Sequence, residues 1–576
     1  MQSESFIPGK DASLDSTIAT LQSRLETLGY HVEARSWLNP VEGIWSVHVR
    51  DRDCPLMFTN GKGGSRLAAL ASALGEFFER LSTNYFWNHY YLGYPLAEGR
   101  KRAFVHYPQE KWFALEGDDA WPEDLLTPEL QAFYNPRASI SAQALVDFNS
   151  GNAERGICAL PYLRLRDHAT VYFPVNVIGN LYVSNGMSAG NTSDEARTQA
   201  LSEIFERHIK FRIISEGLCL PAVPEAVIQR FPRIAAGIAA LREVGFGILV
   251  KDASLGGKFP VMNVTLLNPK DQGCFSSFGA HPRFEIALER ALTELLQGRA
   301  LDALDGFPTP GFDMAEIASS PNIEIHFVDS SGIIGWNFLG NTPDFAFCDW
   351  NFSTATADDY AWSVGAIHAM GHDIYVADFT HLGVYACRIL VPGMSEIYPV
   401  DDLEWENNSV ANTLREPICH LPDLDDQERC DLLEALNDSG VTDERLIAAL
   451  IGLAPGDDPF WKDLRVGELK TLLALSVGDD EAIGEGCEWI RQFAQINPER
   501  LRVYACIDSL HGLEDPGRFE EALSALYGDT TLRQAQAMLS GDQRFFNQPA
   551  LGLDLAHCDM HQCLLAAYTK LHPDKI

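Results

Sequence analysis

A helical phrase with two acidic or amide side chains occurs three times in this 576-residue chain. It reads A-x-x-x-A-L-x-E-x-x-[E/Q], and its copies begin at Ala69, Ala196 and Ala287. Apolar residues recur at spacings of three and four, which predicts helices whose polar pairs each lie on one face. Burying carboxylates is costly unless cations compensate them, so the pattern favours a bound metal or a ring of arginines. The polar pairs are Glu76 and Glu79, Glu203 and Glu206, and Glu294 and Gln297.

One such helix alone would be typical of a solvated face crossed by ion pairs. Three copies favour a site, and each copy follows a glycine-bearing segment (60–65, 185–191 and 278–281) that we expect to form a turn. A turn of this kind leaves the first amides of a helix free to face an anion. Oxygen ligands suit magnesium, which often bridges carboxylates and substrate phosphates. Because the chain lacks both a G-x-x-x-x-G-K-[S/T] loop and a G-x-G-x-x-G fingerprint, a nucleotide would be held through metal and arginine.

Composition restricts the partners and the compartment. The formal net charge of −36 argues against nonspecific binding to nucleic acid or to an anionic membrane. The start lacks a basic and then apolar leader, and the apolar run at 446–454 is too short to span a bilayer. Twelve cysteines without a C-x-x-C pair fit a reducing compartment. We therefore expect a cytoplasmic protein.

The sequence divides into three regions. Residues 1–60 are expected to form a mixed α/β segment that packs on the core. Strand patterns alternate with the repeat helices over residues 61–405, for example at 171–178, 261–267, 373–378 and 384–391. Residues 406–576 show successive helical patterns, which predict either a tetratricopeptide-like array or an irregular bundle. The predicted fold class is α+β, followed by an all-helical C-terminal domain.

Two smaller clusters carry weaker signals. Asp378 and His381 flank a predicted strand and could form an acid–base pair, although a turn acid and a surface histidine are the simpler interpretation. The spacing of the Cys and His residues at 557–563 matches no common zinc finger, and we interpret this cluster as structural.

The three repeat helices resemble the ATP-binding helices of the YcaO superfamily. The segments 6–11, 179–185 and 381–388 also resemble members of this family, so the similarity covers much of the chain. The motifs that carry it are Ser72-x-x-x-Glu76-x-x-Glu79-Arg80, Glu203-x-x-Glu206-Arg207 and Arg290-x-x-x-Glu294-x-x-Gln297.

The resemblance implies ATP and magnesium as cofactors. It also implies that a peptide amide oxygen is activated by phosphoryl or nucleotidyl transfer, for which positioning and charge neutralisation supply most of the catalysis. It assigns no catalytic residue, and it places Glu76, Glu203 and Glu294 on the metal. The residues that it places at the nucleotide are Lys10, Thr17, Ser72, Glu79, Arg80, Ser188, Glu206, Arg207 and Arg290.

The C-terminal end departs from the azoline-forming members of this family. Those members end in a P-x-P-x-P tail, whereas this chain ends in the sequence LHPDKI, and its acidic helical region resembles the non-azole subgroup. That resemblance implies an accessory role in β-methylthiolation of protein twelve of the small ribosomal subunit. The implied partners are a radical methylthiotransferase and this ribosomal protein, without direct nucleic-acid or membrane contact, and we expect a homodimer.

Two alternatives remain open at this point. One is a nucleotide-regulated scaffold whose C-terminal helices recruit a methylthiotransferase. The other is a peptide cyclodehydratase or a thioamide-forming enzyme, against which the missing proline tail argues.

Overall fold

The computed structural model describes residues 5–93, 105–115, 117, 119–151, 153–493 and 495–571. The predicted class is confirmed, since helices and strands are mixed up to residue 390 and helices follow. Residues 572–576, on which the contrast with the proline tails depends, lie outside the described part. Within the described ranges, no helix combines the length and the apolar character that crossing a membrane requires.

The strands form three antiparallel sheets. Their orders are β1-β2-β3, β10-β9-β8 and β4-β5-β11-β12-β7, and β6 pairs with β5. The strands are β1 (Val32–Val41), β2 (Ile44–Asp51), β3 (Phe58–Gly63), β4 (Lys111–Phe113), β5 (Ile157–Arg164), β6 (Thr170–Pro174), β7 (Met187–Gly190), β8 (Gly247–Asp252), β9 (Val261–Leu267), β10 (Cys274–Ala280), β11 (Tyr375–Phe379) and β12 (Tyr385–Leu390).

Most strand predictions are confirmed. Strand β9 has the predicted bounds, and β11 and β12 form the antiparallel hairpin that their short connection suggests. The segment predicted as a strand over 171–178 is extended only to Pro174, because a helical turn begins at Val175.

Helices cover the first two repeat phrases, the third phrase as far as Leu295, and most of the C-terminal region. Gln297, predicted on the third helix, lies in the turn that follows it. The first repeat helix is Arg66–Ser82, the second is Ser193–Glu216 and the third is Phe284–Leu295. The other helices of seven or more described residues are Leu14–Leu28, Pro128–Tyr134, Pro232–Val244, Ser320–Val328, Thr356–Ala369, Ala411–Cys419, Asp426–Asp438, Val466–Val477, Asp480–Phe493, Pro498–His511, Glu520–Tyr527, Asp529–Leu539 and Asp559–Thr569.

Each repeat helix follows an edge strand of a different sheet, namely β3, β7 or β10. The prediction of turns at the glycine-bearing segments is therefore wrong for most of their residues, because these residues belong to the ends of the strands. The first two helix N-termini are capped by Ser65 and Thr192, whose hydroxyl oxygens each accept a backbone N–H at 3.2 Å. The third helix has no side-chain cap.

Glycines in the strands allow the repeat helices to pack closely on them. A Cβ at Gly61 would lie 2.0 Å from the Ala69 carbonyl oxygen, and one at Gly279 would lie 2.3 Å from the Ala291 nitrogen. Both alanines belong to the repeated phrase, so the small residues of helix and strand face each other. This contact fixes the height and the rotation of the first and third helices, and thus the direction of their polar faces.

The last helix, Asp559–Thr569, returns to the N-terminal part of the chain. Leu564, Ala567 and Tyr568 belong to the same apolar core as Leu21 and Phe77. The buried His561 accepts the Ala454 N–H on Nδ1 (3.1 Å), and its Nε2 donates to the Tyr91 carbonyl oxygen (2.7 Å). Both ring nitrogens thus bond to the backbone, which is the structural role expected for this cluster.

Candidate functional site

The polar faces of the three repeat helices surround one cavity of about 690 Å³. Its wall also includes the segment 7–12 and the Leu14–Leu28 helix. All but one of the twelve residues assigned to metal or nucleotide lie in its lining: Lys10, Thr17, Ser72, Glu76, Glu79, Arg80, Glu203, Glu206, Arg207, Arg290 and Glu294. The exception is Ser188, which is 1% exposed in β7 and donates to the Ala189 carbonyl oxygen at 3.4 Å.

The first repeat helix contributes a carboxylate pair and an arginine. Arg80 binds Glu76 at 2.5 Å, one helical turn away. Burial raises the pKa of Glu79 well above its usual range, and the nearby carboxylates of Glu203 and Glu76 raise it further. A cation bound in the cavity would relieve this repulsion.

The second repeat helix repeats this arrangement. Arg207 binds Glu203 at 2.7 Å and donates from Nη1 to Asn185 Oδ1 at 3.0 Å. Burial raises the pKa of Glu203, and the carboxylates of Glu206 and Glu76 add to the effect although Arg207 opposes it.

The third repeat helix reaches across the cavity. Arg290 donates to Gln199 Oε1 at 2.5 Å and lies 3.6 Å from Glu206, so it links the second and third helices. Glu294 forms an ion pair with Lys62 of β3. Gln297 donates to the Asn60 carbonyl oxygen at 2.7 Å, which ties the end of this helix to β3.

The N-terminal segment closes one side of the cavity. Lys10 binds Glu195 Oε1 at 3.1 Å, and the Asp11 N–H donates to the other oxygen of Glu195 at 3.0 Å. Thr17 donates to Asn191 Oδ1 at 2.9 Å. Lys10 and Thr17, assigned by resemblance alone, therefore contact the start of the second repeat helix.

The sequence prediction omitted several residues of this lining, among them Glu195 and Lys62. Glu195 precedes Glu203 by eight residues, so continuing the polar stripe through Gln199 toward the helix N-terminus would have found it. Lys62 carries no such signal, because its partner Glu294 is 232 positions away in the sequence.

Lysine and arginine side chains balance the acids of the cavity. The lining includes eight carboxylate and seven lysine or arginine side chains. Each predicted metal ligand has a basic partner, and the described residues contain no group of three or more His, Cys, Asp or Glu side chains arranged to hold a metal. The carboxylates of the three predicted metal ligands thus bind basic side chains of the protein itself.

The residues fit a metal–nucleotide complex. Among the described atoms, the buried Nε groups of Arg80 and Arg290 lack a hydrogen-bond partner, and both residues line the cavity. Unpaired guanidinium donors beside crowded carboxylates suit an anion and a cation that bind together.

Comparison with known proteins identifies the family. A family model described as "YcaO cyclodehydratase, ATP- and Mg²⁺-binding" matches residues 60–395, and a second, "YcaO cyclodehydratase C-terminal domain", matches residues 411–576. The chain belongs to the YcaO family. The family is described as binding ATP and Mg²⁺, so these two cofactor predictions are confirmed.

Two YcaO relatives match over nearly their whole length. The chain is 48% identical to the ribosomal protein S12 methylthiotransferase accessory factor YcaO of Escherichia coli, covering 99% of each chain. It is 47% identical to an uncharacterized protein of Haemophilus influenzae, covering 100% of this chain and 99% of the relative. A solved YcaO structure from Methanopyrus kandleri, bound with AMPPCP and Mg²⁺, is 19% identical and covers 68% of this chain and 93% of its own, with a TM-score of 0.42.

Proposed function

We propose that this YcaO protein uses magnesium-ATP to activate a peptide amide, and that it serves as an accessory factor for β-methylthiolation of ribosomal protein S12. The observation that carries the proposal is the convergence of eleven assigned residues, from distant parts of the chain, on one cavity. The full-length similarity to a relative named as an S12 methylthiotransferase accessory factor supports the choice of pathway.

The acidic residues of the cavity would bind the metal, and the basic residues would bind the phosphates. Glu76, Glu203 and Glu294 would hold magnesium, because carboxylate oxygens are the ligands this ion prefers. Arg80, Arg207 and Arg290 would neutralise the phosphates and orient them. When bound, magnesium-ATP would supply the phosphoryl or nucleotidyl group that converts an amide oxygen into a leaving group.

Lys10 and Thr17 hold the N-terminal segment against the second repeat helix. This contact covers part of the cavity and would limit the access of water to the nucleotide. The finer parts of the proposal are a cytoplasmic location, a homodimer and direct contact with the methylthiotransferase and S12.

The proposal is tested by complementing cells that lack the chain with Glu76→Gln or Glu203→Gln variants. The substitutions keep side-chain size but remove a metal-binding charge, so we expect ATP turnover to fall by about 100-fold and S12 methylthiolation to be lost. Mass spectrometry of S12 and a phosphate-release assay measure the two effects.

Glu216→Gln is the matched control, because Glu216 lies on the second repeat helix in an exposed pair with Arg212. Its turnover and S12 modification should match those of the wild type. Normal S12 methylthiolation in a Glu203→Gln variant without ATP turnover would contradict the proposal and would favour a scaffold.

A further inference from the structure

The third repeat helix has no arginine four residues after its predicted metal ligand, unlike the other two. In the first two helices, the predicted metal ligand binds an arginine four residues later, as Glu76 binds Arg80 and Glu203 binds Arg207. The position four residues after Glu294 is Gly298, beyond the end of its helix at Leu295. Arg290, four residues before Glu294 on the same helix, binds Gln199 and lies near Glu206. The basic partner of Glu294 therefore comes from another element.

Lys62 supplies this charge from strand β3. Its ammonium binds Glu294, and Gln297, in the turn after that helix, donates to the Asn60 carbonyl oxygen two residues before Lys62. The strand is further fixed by Gly61, where the backbone of the first repeat helix leaves no room for a Cβ. These contacts fix the backbone on both sides of Lys62 at the edge of the cavity.

The surroundings of Lys62 are strongly charged. Its side chain is 22% exposed and lines the cavity. Burial lowers the pKa of Lys62 to about 8 and Arg290 lowers it as well, whereas Glu206, Glu76 and Glu203 oppose the shift. The ammonium is therefore held by carboxylates in a position that bulk water stabilises poorly.

Lysine differs from the two arginines in its ability to change partner. Arg207 is fixed by an ion pair with Glu203 and a hydrogen bond to Asn185. Lys62, in contrast, is a compact charge on a flexible four-carbon stem. A divalent ion attracts a carboxylate more strongly than an ammonium does, so metal binding would free the Lys62 charge.

We propose that Lys62 is an exchangeable counter-ion: it neutralises Glu294 in the nucleotide-free protein, gives up this carboxylate to Mg²⁺, and then binds the phosphate chain of the nucleotide. Lys62 is a positioning residue in the first step and a nucleotide ligand in the second. The second step rests on the proposed function, whereas the competition with Mg²⁺ does not.

The test is a Lys62→Met variant, which keeps the length of the stem and removes the charge. Calorimetric titration with MgCl₂ alone should show Mg²⁺ binding about tenfold tighter than in the wild type, because the internal competitor is gone. Titration with Mg²⁺ and a nonhydrolysable ATP analogue should show binding about tenfold weaker, because a phosphate contact is lost. A merely structural lysine would not change the two affinities in opposite directions.

Two further variants serve as controls. Lys62→Arg restores the charge, so its Mg²⁺ affinity should return to near the wild-type value. Lys270→Met removes a lysine from an exposed pair with Asp305, and both affinities should remain unchanged. Equal or weaker Mg²⁺ binding by Lys62→Met, including the absence of measurable binding to either protein, would overturn the proposal.

A measurement on the wild-type protein needs no substitution. Trace labelling with an amine-reactive reagent, followed by mass spectrometry, should show Lys62 reacting faster after Mg²⁺ is added and slower with Mg²⁺ and the ATP analogue. Unchanged labelling on addition of Mg²⁺ would overturn the exchange. A wild-type protein that shows the Mg²⁺ effect but does not bind the ATP analogue would contradict the proposed function and leave the competition for Glu294 standing.

Discussion

Arg207 shows how one side chain joins separate parts of the site. It binds Glu203 on its own helix and Asn185 before strand β7, and its guanidinium lies 4.8 Å from the centre of the Phe327 ring. A planar guanidinium can bind the carboxylate and the amide oxygen at its edge while its face lies over the ring, whereas an ammonium has no such face. Arg207 is therefore fixed before any nucleotide binds.

We expect Arg207→Lys to weaken binding of magnesium-ATP by about tenfold although the charge is kept, because the oriented donors are lost. Calorimetry with a nonhydrolysable analogue measures the effect. The control is Arg212→Lys on the same helix, where the exposed arginine pairs with Glu216 one turn along the helix. Equal affinities for the two variants would show that charge alone matters at position 207.

At the residue scale, eleven of the twelve residues assigned from the sequence lie in the lining of one cavity. Glu76, Glu203 and Glu294 stand out because they repeat in one phrase. Their assignment to metal, and that of the other residues to the nucleotide, came from the resemblance to the YcaO family. Ser188 and Lys62 show the limit of this reasoning. Ser188 pairs with Cys387 within a sheet and is not part of the cavity lining, and Lys62 meets Glu294 only through the packing of two elements that are distant in sequence.

At the scale of the elements, the repeated alanines of the helices pack against glycines of the strands. Gly61 faces Ala69 and Ala73, and Gly279 faces Ala287 and Ala291, so two copies of the phrase use the same strand–helix contact. Hydrophobic periodicity predicted the helices correctly. It could not distinguish a glycine in a turn from a glycine at the end of a strand, because both patterns are short and polar.

The terminal helix gives a prediction for the effect of pH. Burial lowers the pKa of His561 to about 4, and Arg415 adds to the shift. The histidine stays neutral in the folded chain but becomes protonated in the unfolded chain below its usual pKa of about 6.5. Its contribution to stability is therefore present above pH 6.5 and is lost as the pH falls toward 4, by about 3 kcal/mol in total.

We expect His561→Gln to lower the free energy of unfolding at pH 7 by about 1–2 kcal/mol, because hydrogen bonds to Ala454 and Tyr91 are weakened. The difference from the wild type should shrink as the pH falls below 6.5 and should change sign before pH 4, because only the wild type loses the contribution of about 3 kcal/mol. Urea unfolding at several pH values measures both effects. His557→Gln, at an exposed position four residues earlier, should keep the wild-type pH profile; a wild-type profile in His561→Gln would refute the assignment.

At the scale of the whole molecule, the cavity depends on how three sheets meet. Each repeat helix follows the edge strand of a different sheet, and the helix Asp559–Thr569 packs into the same core as Leu21 and Phe77. The strands and helices were predictable one by one from local patterns. Their assembly was not, because pairings such as β5 with β11 join segments more than 200 residues apart.

The central claim is that acidic side chains of the three repeat helices bind one magnesium ion that carries ATP. A crystal structure of the protein with Mg²⁺ and a nonhydrolysable ATP analogue tests this claim most directly. We predict a metal at about 2.0–2.1 Å from carboxylate oxygens of Glu76, Glu203 and Glu294, with the phosphates facing Arg80, Arg207 and Arg290. A nucleotide bound outside this cavity, or a metal that none of the three carboxylates contacts, would contradict the account.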